Sequence, residues 1–87
     1  MSISNYVVHE STTNNLPDAV INHIWYLWNV YCAGRRAVTF EISKKTGEQE
    51  IKIPSGGMYP LESQPCGVGM VMVVVNNHTA TMIFQED

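Results

Sequence analysis

The chain has 87 residues, enough for one domain spanning 1–87 and no more. Its net charge is −3, from 8 acidic and 5 basic residues. A duplex-binding domain carries a basic stripe that displaces phosphate counterions, so bulk nucleic-acid binding is not expected. The longest apolar run, residues 70–75, is far shorter than the about 20 residues of a membrane helix, so no membrane partner is expected. No basic-then-apolar leader opens the sequence, which points to a reducing cytoplasmic setting without a Cys32–Cys66 bridge.

Residues 3–8 read as a first strand, and the Ser/Thr/Asn-rich residues 9–14 as a loop. A helix is expected from there to about Ala33. Asn15 offers itself as the cap, Pro17 suits the first turn and Asp18 complements the dipole. Val20, Ile24, Leu27, Trp28 and Tyr31 form one apolar stripe, and Gly34 supplies the stop. A second set, Ile21, Trp25, Trp28 and Cys32, widens that stripe and reads as a further contact surface.

Residues 36–43 alternate, with Val38, Phe40 and Ile42 on one side. The turn Lys44-Lys45-Thr46-Gly47 leads to a return strand bearing Gln49, Ile51 and Ile53, so the two form a hairpin. Residues 54–67, with three prolines and three glycines, read as a long loop. Residues 68–75 are apolar on both alternations, which predicts a central strand covered on both faces. Asn76-Asn77 signals a tight turn, residues 79–84 a last strand, and Gln85-Glu86-Asp87 a solvated tail. The expected fold is therefore α+β. One amphipathic helix lies on a mixed, mainly antiparallel sheet of about five strands, in the order β-α-β-β-β-β. One helix covers one face only, so self-association into a homo-oligomer is expected to cover the other.

The chemistry-bearing residues are sparse. His9, His23 and His78 share no ligand spacing, and the cysteines form no Cys-x-x-Cys, so no metal site is expected. The carboxylates fall at a cap, on outward strand positions, in a loop and in the tail, and form no acid–base couple. No catalytic residue and no cofactor are assigned, and the protein is expected not to be an enzyme. What remains is a set suited to a small anion. Arg35 and Arg36 can clamp a phosphate or carboxylate, with Trp25, Tyr26 or Tyr59 stacking beside them. The amides of Ser55, Gly56 and Gly57 can cup an anion, although this segment lacks the strand-to-helix context of a phosphate loop. The plain alternatives are a dipole contact for the arginines beyond the helix end and an ordinary loop for the glycines.

Leu16-Pro17, Leu27-Trp28, Val38-Thr39-Phe40-Glu41-Ile42, and Val73-Val74-Val75-Asn76-Asn77 running into Thr81-Met82-Ile83-Phe84 carry a resemblance. The pattern resembles a family of small proteins from Gram-positive bacteria and their phages, a domain of unknown function numbered nine-sixty. The resemblance covers about two-thirds of the chain through short hydrophobic motifs; residues 54–67 and the Asn-Asn turn depart from it. It implies a mobile-element or phage origin and no established activity. The expected function is a phage counter-defence protein. It would sequester a small (cyclic) nucleotide immune signal in a pocket between subunits, inside the host cytoplasm. The alternative is a direct protein-binding inhibitor of a host defence complex, of the anti-CRISPR kind.

Overall fold

A computed structural model describes residues 3–32, 35–45, 48–61 and 67–86, leaving aside the side chains of Lys45 and Glu48. The expected stops at Ala33 and Gly34, the turn residues Thr46 and Gly47, Glu62, Cys66 and Asp87 lie outside the described residues. The elements are β1 (Asn5–Val8), α1 (Glu10–Thr13), α2 (Asp18–Tyr31), β2 (Ala37–Lys45), β3 (Glu48–Lys52), β4 (Met58–Leu61), β5 (Gly69–Asn76) and β6 (Thr79–Glu86). They form an α+β fold with one sheet in the order β1-β6-β5-β2-β3-β4. Only β1 and β6 are parallel; every other pair is antiparallel.

Alternation along the strands sorts the side chains. Val38, Phe40 and Ile42 of β2, Ile51 of β3, Val71 and Val73 of β5, and Ala80 and Met82 of β6 are buried beneath α2. From the helix, Val20, Ile21, Ile24, Leu27 and Trp28 enter the same core. The set expected to form a further contact surface is therefore mostly core. Ile21, Trp28 and Cys32 are buried and Trp25 is half-buried, so a wide arc of the helix joins the core. What it leaves outside is Tyr26, Val30 and Tyr31.

Two local expectations are replaced by tighter structure. The polar segment read as a loop winds into α1, since the His9 ring nitrogen Nδ1 accepts the Ser11 amide and the Asn14 amide reaches the Glu10 carbonyl. Asn15 is consequently no cap for α2. Its side chain donates to the Ser11 carbonyl, and Pro17 stands at the α2 N-cap without a side-chain bond. The segment read as one long loop contains β4, which pairs with β3. Pro60 is tolerated there because β4 is an edge strand. The anticipated tail is strand as well, with Gln85 and Glu86 paired to Met70 and Gly69.

The expected hairpin between β2 and β3 is present, with Lys45 opposite Glu48. The β5–β6 turn falls one residue later than the Asn-Asn signal. Asn77 and His78 both have positive φ, 48° and 65°, as a two-residue type I′ hairpin requires.

α1 also seals an edge. β1 accompanies β6 only from Thr79 to Met82. Beyond that, the Thr12 hydroxyl donates to the Met82 carbonyl at 3.0 Å, and the Ser11 hydroxyl accepts the Phe84 amide at 3.2 Å. Thr12 is fully buried, so its hydroxyl cannot be replaced by water. Thr12→Val should lower unfolding free energy by about 1–3 kcal/mol in urea titration, because the shape is kept and the bond is lost. The exposed neighbour provides the contrast, and Thr13→Val should stay within about 0.5 kcal/mol.

Candidate functional site

The described residues place Arg36 immediately before β2, at the end of the sheet that also carries the β5–β6 turn. The Val75 amide donates to the Arg36 carbonyl at 2.7 Å, which fixes its backbone against β5. Arg36, Val75, Asn76, Asn77 and His78 line a cleft of about 320 Å³. The turn beneath it is held in place. The His78 carbonyl accepts the amides of Ser4 and Asn5 at 2.8 and 3.3 Å. The cleft thus offers a guanidinium, two carboxamides and an imidazole on a backbone tied to three strands.

The arginine pair divides. Arg35 is anchored at the end of α2, where its amide donates to the Cys32 carbonyl at 3.1 Å. Its charge acts on the Cys32 thiol. Burial pushes that thiol up from its ordinary value, and Arg35 partly offsets the rise. Only Arg36 lines the cleft.

The remaining candidates lie apart from it. Trp25 packs edge-on against Tyr6 and Trp28, with ring centroids 5.1 and 6.2 Å away. Tyr26 is exposed, with His23 as its ring neighbour at 6.4 Å. Tyr59 donates its hydroxyl to that of Tyr31 at 2.5 Å, and this bond is the main reason its ionisation is pushed up.

Ser55, Gly56 and Gly57 form the β3–β4 turn. The Gly56 amide donates to the Ile53 carbonyl at 2.9 Å, so it faces inward and not toward an anion. Gly56 has φ of +104°, which favours glycine. A Cβ on Gly57 would meet the Ile53 side chain at 3.0 Å, so close packing accounts for the second glycine. Neither this turn nor Trp25, Tyr26 or Tyr59 lines the cleft beside Arg36.

The partners Arg36 does have were missed by sequence reasoning. Asn76-Asn77 was read for its turn and His78 only for metals. Their meeting with Arg36 depends on β2 pairing with β5, a contact between strands distant in sequence. No group of three or more His, Cys, Asp or Glu residues able to hold a metal occurs among the described residues. No helix of the described residues is long and apolar enough to cross a membrane. No family model, curated protein or solved structure matches the chain.

The division of the arginines can be read from Cys32. In a Cys66→Ser background, Cys32 should react with a disulfide reagent at least about tenfold more slowly in the folded protein than in urea. Arg35→Ala should raise the pH midpoint of that reaction further, while Arg36→Ala should leave it in place.

Proposed function

We propose that this protein is a non-enzymatic binding domain that holds a small phosphate-bearing anion in the cleft beside Arg36. The observation that carries this reading is the convergence of Arg36, Asn76, Asn77 and His78 on one polar recess. A guanidinium gives a phosphate two parallel charge-assisted bonds, and carboxamide and imidazole donors extend the set. The small volume is informative. At about 320 Å³ the cleft stands at the lower end of ligand pockets, enough for a phosphate and its sugar but not a whole cyclic dinucleotide. Sequestration of a cyclic nucleotide therefore requires that a second subunit supply the remaining contacts, and exposed aromatics such as Tyr26 suit that role.

The phage counter-defence setting rests on the family resemblance. It gives the reading its biological class: capture of a nucleotide immune signal in the host cytoplasm. A second reading, direct inhibition of a host protein complex, is favoured by a different observation. The sheet face turned away from α2 exposes Val7, Met58, Met70 and Met72.

Calorimetric titration with cyclic di- and trinucleotides tests the first reading. Arg36→Ala should weaken binding about ten- to a hundredfold, the loss of a charge-assisted bond, and should scarcely move the melting temperature. Arg35→Ala should weaken it less. If Arg36→Ala lowers the melting point strongly and leaves affinity unchanged, Arg36 is a structural residue and the anion reading falls.

A further inference from the structure

Past the end of β1, two hydroxyl side chains take the place of a strand beside β6. β1 accompanies β6 only as far as Met82. There the Thr12 hydroxyl donates to the Met82 carbonyl at 3.0 Å, and the Ser11 hydroxyl accepts the Phe84 amide at 3.2 Å. These backbone groups are the ones an open edge presents to water or to another chain. Both hydroxyls are carried by α1, and one ring nitrogen holds the start of α1. His9 Nδ1 lies 3.1 Å from the Ser11 amide nitrogen and 2.9 Å from the Ser11 hydroxyl oxygen.

The donors of this cluster fix where its protons sit. The Ser11 amide can only donate, so Nδ1 is an acceptor and the neutral His9 ring carries its proton on Nε2. The Ser11 oxygen accepts from Phe84, which leaves its own hydrogen to point at Nδ1. The result is a relay from the Phe84 amide through the Ser11 hydroxyl to the imidazole. A second proton on the ring has only Nδ1 to occupy, and there it meets the Ser11 amide hydrogen, donor against donor. His9 is exposed, so its ring is free to turn into water. The first turn of α1 then loses its cap, and the Ser11 hydroxyl loses its anchor. Thr12 does not depend on the ring. Its side chain is fully buried and its bond to Met82 carries no titratable group, so it serves as the pivot.

From this geometry we propose that α1 is a pH-sensitive latch on the edge of β6, closed by neutral His9 and loosened at its Phe84 end when His9 takes up a proton. Histidine is the side chain whose charge ordinarily changes between about pH 5 and 8. The titratable groups on the surrounding elements are Glu10 on α1 itself, Tyr6 on β1, Glu86 on β6, and Asp18 and His23 on α2. Among the described residues, the ring bonds to Ser11 and to none of these. The latch is separate from the Arg36 cleft, which lies beside His78 at the opposite end of β6 from Phe84.

Amide hydrogen exchange read by NMR tests the latch, with Phe84 reporting α1 and Val73 reporting the core. From about pH 8 to about pH 5, Phe84 protection, corrected for intrinsic exchange, should fall about three- to tenfold, the loss of one helix cap, while Val73 protection holds. At the higher pH the ring nitrogen shifts of His9 should place the proton on Nε2. His9→Asn keeps a capping acceptor that cannot be protonated, so it should hold Phe84 at its high-pH protection throughout. His9→Ala should give the loosened value at both pH values. Because His23 and His78 still titrate in these variants, a response lost in His9→Asn belongs to His9. A wild-type Phe84 profile that does not change, a proton on Nδ1 at the higher pH, a response that survives His9→Asn, or an equal loss at Val73 would each overturn the proposal. So would a His9→Ala protein as well protected at Phe84 as the wild type at the higher pH.

Discussion

A single helix cannot cover six strands on both sides, and most of what is unusual in this molecule follows from that shortage. α2 is 14 residues long, or about 21 Å, and about 10 Å across, against a sheet about 24 Å wide. The chain responds by making that one helix apolar over a wide arc, so that Trp28 and Cys32 sink into the core with Val20 and Ile24. Thr12 and Leu16 close the margin between α1, the sheet and the start of α2. Among the described residues, no second layer covers the opposite face. The exposed methionines of β5 are the residue of that constraint.

The parts legible in the sequence were those set by local periodicity. The stripe of α2 apart from the exposed Tyr31, the alternation of β2 and the central place of β5 were each written in spacing, and all three occur in the fold. What escaped was determined by capping and by distant pairing. α1 forms because one imidazole happens to accept an amide two residues on, a signal that composition statistics assign to loops. β4 was hidden by Pro60 and by the preceding Pro54, Gly56 and Gly57, which mark turns but do not forbid an edge strand. The two-sided apolarity of residues 68–75 was read correctly as a centre strand, yet only one of its two faces is covered within the chain.

The candidate site was legible to a smaller degree, for a related reason. Arg35 and Arg36 were conspicuous as neighbours, but adjacent residues at a helix exit diverge, one remaining with the helix end and the other entering the strand. The glycines of the β3–β4 turn answered to backbone geometry and to Ile53, demands that look the same in sequence as an anion cradle. Tyr59 answered to Tyr31. A cleft is a property of register between strands, and register between β2 and β5 is decided by the whole sheet.

The parallel pairing of β1 with β6 has a consequence for the order of events during synthesis. Asn5 lies against Thr79, and the carbonyl of Met82 receives both the amide of His9 and the hydroxyl of Thr12. β1 thus has its docking place in β6, about 70 residues further along the chain. Until residues 79–86 are available, β1 has no strand to pair with. Loop closure across almost the full chain delays the final pairing, because such non-local contacts are slow to form. Until that pairing forms, the edge of β6 along residues 79–82 stays open, and an open strand edge is a template for aggregation.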